Sequence, residues 1–215
     1  MKIYFVRHGE TEYNRKSIHQ SPDVPLSKKG VAQIEKTAKA LKALGATKLI
    51  TSDLLRAYQS AEIIGEELGL APELHSAFRE VRRPSELFGE KYFSFASAKV
   101  AFPILAHLHN RNWHYSDEEN LYDLKDRVAR AVAQLEAIGK EHEKVVVVSH
   151  AFILQIFLRY MCKYKDVRII DYVKTLIAAK SLGNGSITTV AYNDDGNGNT
   201  CDWLCIRRND RSHLA

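Results

Sequence analysis

Four consecutive valines at 145–148, followed directly by Ser149 and His150, constrain this 215-residue chain more than any other stretch. A run that is β-branched at every position has no side to leave in water, so it reads as a parallel strand covered on both faces. Sheets of that kind are wrapped by helices, which makes the chain α/β. Residues 3–6 form a second short apolar run, and it stops abruptly in Arg7, His8 and Gly9. Buried parallel strands deliver the residues that follow them to the carboxyl edge of the sheet, where α/β proteins place their ligands.

The segments between these runs follow the same alternation. Residues 12–25 are polar and irregular, placed as a loop over the same edge, with Asn14 early in it. A helix is expected over 27–44, with Ser27 as its N-cap, an inward stripe of Val31, Ile34, Ala38 and Leu41, and Gly45 to close it. Residues 48–51 read as a strand. Ser52 is expected to cap the next helix, which carries Ala57, Ala61, Ile64 and Leu68 on one face and ends at Gly69. From 71 to about 120 the pattern is irregular, rich in proline and aromatics, with helices expected near 93–101 and 103–109. Excursions of this kind often wall a site. A long helix is expected over 121–141 and an apolar one over 152–161. Residues 187–192 and 201–206 flank the turn-rich 194–198 and read as a hairpin. Residues 207–215 read as a polar tail. The expected architecture is a single α/β domain over 1–215. It has a mostly parallel central sheet with helices on both faces, an antiparallel C-terminal edge, and a helical insertion at about 78–120 over the active site.

Composition narrows the function classes. With 45% hydrophobic and 27% charged residues the chain is globular rather than disordered. The formal charge of +5 is spread along the sequence without a basic stripe interleaved with aromatics, so a pocket for small anions accounts for it better than nucleic acid does. Cys162, Cys201 and Cys205 have no metal spacing, and their odd number argues against a disulfide framework and for a reducing compartment. His107, His109 and His114 lack a carboxylate or thiol to complete a ligand set and read as surface histidines. Met1 is followed at once by a core strand, and no apolar run approaches the ~20 residues of a membrane span. A cytoplasmic location is expected, with no metal, no cofactor, no membrane partner and no nucleic acid.

Three strand ends present polar side chains to one edge: Arg7 with His8, Ser52 with Arg56 just beyond it, and Ser149 with His150. Arg7 offers a planar cationic fork, Gly9 a close backbone approach, and His8 an imidazole that is nucleophilic near neutral pH. Arg56 stands in the first turns of a helix, where the dipole opposes a cation and a bound anion would compensate. Each has a plainer alternative: a surface Arg-His pair, a solvated Arg56, and a His150 satisfied inside the core.

Taken together the motifs resemble the histidine phosphatase superfamily, also called phosphoglycerate mutase-like, and its phosphatase branch in particular. Arg7-His8-Gly9-Glu10-Thr11 with Asn14 resembles its signature. Pro25 to Gly30 with Gln33, Thr51 to Ala61, Phe78-Arg79-Glu80, Val147 to His150 and Asn184 to Thr188 match further stretches in the family's order. The resemblance implies that His8 attacks the phosphorus of a phosphomonoester and becomes a phosphohistidine. It also implies that Arg7, Arg56 and His150, assisted by Asn14, hold the phosphoryl oxygens, and that Glu80 is the general acid and base. Where the family continues toward Phe-Gly and Glu-Gly, this chain has Val81-Arg82-Arg83-Pro84-Ser85-Glu86 before Phe88-Gly89, which leaves Glu86 as a competing acid. Arg82 and Arg83 are either a cationic lip for a second anionic group or a solvated pair. Glu118-Glu119-Asn120 stands for the usual Gly-Glu-Ser, and Ala151-Phe152 for a pair of glycines. The functions in contention are a phosphatase acting on a small phosphorylated substrate, a phosphoglycerate mutase-type transferase, and a non-catalytic phospho-ligand-binding module.

Overall fold

The computed structural model describes residues 1–161, 167–178, 181–193 and 202–215. The expected turn at 194–198, together with Cys162 and Cys201, lies outside the described residues. The sheet starts with β1 (Lys2–Arg7), β2 (Lys48–Thr51), β3 (Glu73–Leu74) and β4 (Lys144–Ser149), and ends with β5 (Ile187–Tyr192) and β6 (Trp203–Asp210). The strand order is β3-β2-β4-β1-β5-β6. The first four run parallel, while β5 is antiparallel to β1 and β6 antiparallel to β5. The valine run is therefore the central strand, hydrogen-bonded on both edges, as its composition requires.

Alternation along the strands sorts the core into two layers. Ile3, Phe5, Ile50, Val145 and Val147 face one side, where α5 (Leu121–Ile138) and α6 (Ala151–Met161) cover them. Tyr4, Val6, Leu49, Val146 and Val148 face the other, under α2 (Lys28–Lys42) and α3 (Leu55–Leu68). Ser27 caps α2 by accepting from the Gly30 amide, and Ile34, Ala38 and Leu41 are buried as their spacing predicts. Gly69 closes α3 at φ +68°, a left-handed cap that costs a glycine little. Asn120 caps α5 in a capping box with Asp123.

Several expectations are corrected. The polar stretch after Gly9 holds a helix, α1 (Glu12–Lys16), nucleated by a capping box between Thr11 and Asn14. Ser52 does not cap α3: the N-cap is Leu54, with no side-chain cap, and Ser52 stands two residues before it, where its hydroxyl oxygen accepts from the Leu54 amide and lies 2.9 Å from His150 Nε2. The insertion carries one helix, α4 (Phe95–Ala106), rather than two, and Pro103 lies inside it. The one amide lost there would have reached the carbonyl of Lys99, on a turn exposed to water that can serve it instead. The segment from Arg207 is no free tail. Backbone pairing with β5 carries β6 to Asp210, and His213 beyond it reaches Thr37 and the Gly185 carbonyl. A further helix, α7 (Ile169–Ala178), and the two-residue edge strand β3 were not expected.

The loop after β1 is pressed onto the start of α2. A Cβ on Gly9 would stand 2.5 Å from the Gly30 carbonyl oxygen, and one on Gly30 would overlap the Glu10 backbone. We expect Gly30→Ala to destabilise the protein by about 1–3 kcal/mol, measured by urea unfolding, because neither backbone can retreat from the other. An unchanged unfolding midpoint would show that the loop yields freely.

Candidate active site

The register of the parallel strands builds the site. In the β1–β4 ladder Arg7 stands beside Ser149, and in the β2–β4 ladder Thr51 stands beside Val148. The next residues, His8, His150 and Ser52, therefore leave three adjacent strands at nearly one level. The His8 amide donates to the Ser149 carbonyl and the Ser52 amide to the Val148 carbonyl, which holds the three ends together. The two imidazoles lie 5.0 Å apart between ring centroids and are both buried.

Hydrogen bonds set the tautomers. His8 Nδ1 is 2.7 Å from the Gly9 carbonyl oxygen. A carbonyl only accepts, so Nδ1 carries the hydrogen and Nε2 keeps its lone pair. His150 Nε2 is 2.9 Å from Ser52 Oγ. The buried Ser52 hydroxyl has no other acceptor among the described residues, so it donates to Nε2 and leaves the hydrogen of His150 on Nδ1. That Nδ1 has no partner among the described residues, and neither do Arg7 Nε and Arg56 Nε. Three buried donors are thus unspent.

The charges are held in place around them. Arg7 Nη1 donates to the Leu182 carbonyl and Arg56 Nη1 to the Ser21 carbonyl. Burial lowers both guanidinium pKa values, Arg56 to about 10, which leaves them cationic at neutral pH, and the Glu80 carboxylate acts in the opposite sense on both. Burial, then Arg56 and Arg7, hold His8 well below the usual histidine range. The same two causes, burial first and Arg56 next, hold His150 there. Gly9 N–H donates to Ser60 Oγ, which in turn donates to the Arg56 carbonyl, so the loop after β1 is tied to the first turn of α3. Asn184 Nδ2 donates to the carbonyls of His8 and Gly9 and to Asn14 Oδ1. With the Thr11 amide also donating to that oxygen, the Asn14 carbonyl end is fully engaged, and its amide nitrogen is the end left to donate.

Glu80 is brought to this cluster and Glu86 is not. Glu80 accepts from the amides of Phe152 at 3.1 Å and Ile153 at 3.0 Å, closing the N-terminus of the helix that begins just after His150. It also accepts from the Val81 amide. Glu86 is exposed and bonded to the Tyr115 hydroxyl. Of the two arginines beyond Glu80, Arg82 is exposed, whereas Arg83 is half-buried with its guanidinium 5.8 Å from the Phe152 ring centre. Phe152 itself turns against Tyr172 of α7, 5.3 Å between rings. Among the described residues no group of three or more His, Cys, Asp or Glu side chains is gathered to hold a metal. Nor is any helix among them long and apolar enough to cross a membrane.

Sequence reasoning missed three supporting residues. Arg127 of α5 forks onto Glu119, with both nitrogen–oxygen distances 2.6 Å, and donates to the carbonyls of Ala77 and Arg79, so it pins the loop that ends in Glu80. Tyr92 lies close enough to Arg7 and Arg56 to influence both. His19 packs edge-on against Tyr92 and meets Ser97 of α4. Apart from the Arg127–Glu119 pair, which is eight residues apart, these contacts span tens of residues, and no local pattern announces them.

The carboxyl edge of the sheet thus gathers two imidazoles, two guanidiniums and a carboxylate, a set of groups suited to a multiply charged anion. The chain belongs to the histidine phosphatase superfamily (branch 1), whose family model matches residues 3–200. It is 43% identical over 82 residues to the probable phosphoglycerate mutase GpmB of Cronobacter sakazakii, a match that spans 38% of each chain. The match to the Proteus mirabilis protein of the same name is 45% identical over 67 residues, 31% of each chain. Solved structures with the same fold include a mycobacterial glucosyl-3-phosphoglycerate phosphatase in complex with VO3. It has a TM-score of 0.78 and 24% identity, over 98% of this chain and 99% of that one. A putative alpha-ribazole-5'-P phosphatase of Escherichia coli has a TM-score of 0.76 and 17% identity, over 98% of this chain and 97% of that one.

Two outcomes follow from this electrostatics. His8, His19 and His150 are held neutral in the fold, His19 at about 4 through burial and then Arg83. In the unfolded chain histidines take up protons near pH 6.5, so the unfolded state binds more protons as the pH drops below that value. Stability is then full above about pH 6.5 and falls as acid is added, by up to about 1.4 kcal/mol per pH unit for each histidine. Urea unfolding at pH 7.5, 6 and 5 reads this directly, and a flat profile would contradict the neutral assignment. Separately, Arg127→Met strands the buried Glu119 carboxylate and should cost about 3–5 kcal/mol, with Glu119→Leu added in the same chain recovering most of it.

Proposed function

We propose that this protein is a phosphatase that hydrolyses a small phosphomonoester through a covalent phosphohistidine on His8. The observation that carries the reading is the lone pair on His8 Nε2, set among three unspent buried donors and two fixed cations. In the first half-reaction Nε2 attacks phosphorus and the ester P–O bond breaks, while Glu80 gives a proton to the departing alcohol oxygen. Arg7, Arg56 and His150, with Asn14 assisting, take the oxygens whose charge spreads in the transition state. In the second, Glu80 takes a proton from water, the new P–O bond forms, the P–N bond breaks, and phosphate leaves with His8 neutral again. The hydrogen bond from Nδ1 to the Gly9 carbonyl eases the transient positive charge on the ring. In this reading Arg83 meets a second anionic group on the substrate, and its half-buried position beside Phe152 supports that role. The likeness to the mycobacterial glucosyl-3-phosphoglycerate phosphatase and the putative alpha-ribazole-5'-P phosphatase supports a small phosphorylated substrate without naming this one.

A mutase is the second reading, favoured by the names of the curated relatives, and it differs only in returning the phosphoryl group to an alcohol instead of water. Rapid acid-free quenching with a 32P-labelled phosphomonoester should trap label on the wild-type chain and none on His8→Ala, with turnover lost in the variant. Retained turnover in His8→Ala would reject both readings. Release of inorganic phosphate that does not slow or divert when an acceptor acid is added identifies the phosphatase; stoichiometric transfer identifies the mutase. Asn14→Ala or Arg56→Met should each lower kcat by about 10²–10³-fold, the usual effect of losing one preorganised donor.

A further inference from the structure

Helix α4 carries only Ser97 and Lys99 as polar side chains, yet the fold covers only one of its faces. Ser97 and Val100 turn inward, where Ser97 Oγ meets His19 and the Lys91 carbonyl. On the opposite side Phe95, Ala98, Phe102 and Leu105 fall at positions i, i+3, i+7 and i+10, a single stripe. Phe95 is 88% exposed, Phe102 77% and Leu105 44%, and Ala98 is exposed between them. Phe93, just before the helix, is 88% exposed as well. A surface helix that is apolar on both faces is ordinarily a buried one.

We infer that this stripe is a two-fold interface at which α4 packs antiparallel against α4 of a second copy of the chain. The sequence of the stripe is self-complementary about Val100. Running the second helix the other way sets Phe95 opposite Leu105 of the second copy and Ala98 opposite its Phe102, and the two-fold repeats both pairs. Each large ring then meets either a medium aliphatic side chain or the hollow over an alanine, the interdigitation that close helix packing requires. An isologous contact needs this reciprocity, residue i against j and j against i. The area fits a reversible contact. Taking roughly 200 Å² for an exposed phenylalanine, Phe95 and Phe102 with Leu105 and the neighbouring alanines offer about 450 Å² on each copy. Two such faces bury about 900 Å², the size of a weak complex that forms in the micromolar range rather than of an obligate one. Lys99 borders the stripe and can keep its ammonium in water while its stem packs.

Sedimentation equilibrium of the full chain across the micromolar range tests this. The wild type should be a dimer. Phe95→Asp and Phe102→Asp, both at exposed positions that the monomer fold does not need, should each raise the dissociation constant by about 30-fold or more with an unchanged far-UV spectrum. Phe102→Ala should weaken the dimer, and adding Ala98→Phe in the same chain should restore it, since the exchange keeps one large and one small side chain in each pair. A wild type that stays monomeric at high micromolar concentration overturns the inference. So does a dimer that survives both aspartates, an exchange that restores nothing, or a monomer whose stripe instead binds lipid vesicles.

Discussion

β4 lies between β1 and β2, and the level at which these three parallel strands end governs the rest of the site. One hydrogen-bonded register places His8 on one side of His150 and Ser52 on the other. Side-chain packing alone gives no such accuracy, because a ladder permits only discrete slips, and a slip by one residue would turn valines at 145–148 to the wrong layers. The two hydrophobic layers that hold the register are therefore also what hold the chemistry. Helices α2 and α3 on one face and α5 and α6 on the other bury alternate residues of the same strands. A strand buried on both faces has no freedom to shift.

The pocket that results is electrostatically unfinished. Two guanidiniums have lost much of their water, two imidazoles are kept neutral between them, and three N–H groups find no acceptor among the described residues. Unmet donors of this kind cost stability, on the order of 1–3 kcal/mol each in other proteins. In the reading proposed here, a multiply charged tetrahedral anion is the acceptor they lack. The groups that would receive it are anchored by carbonyls at Leu182, Ser21 and Gly9 rather than by mobile side chains.

The parts of this structure that were legible in the sequence are those whose cause is local. The valine run, the short run ending in Arg7 and His8, and the helices with Ser27 and Asn120 at their starts carry their signals within a few residues. The convergence of His8 and His150 was legible because strand ends share an edge. Ser52 reads as a helix cap because a serine before a helix usually is one, but the helix begins two residues later than that reading requires, and the hydroxyl instead bridges the Leu54 amide and His150, almost a hundred residues away. Glu80 was ranked above Glu86 by motif, but its anchoring on the amides of Phe152 and Ile153 is a long-range contact without local trace. The edge strand β3, two residues long, and α7, whose apolar periodicity follows a stretch of mixed character, were likewise beyond a local reading. Pro103 suggested a break that the helix does not make, because the disrupted turn faces solvent.

The anchoring of Glu80 bears on which alcohols such a site would accept. Its two oxygens are moored to the backbone of α6, and Arg127 steadies the loop behind it, so this carboxylate does not travel to meet its partner. If Glu80 is the proton source, as we propose, the bridging oxygen of an ester would have a single berth between it and His8. Discrimination among esters would then fall to whatever lies past that atom, on the side where the half-buried Arg83 guanidinium stands beside Phe152. Chain length and bulk beyond the bridge, rather than the acidity of the alcohol, would become the quantities that sort one ester from another.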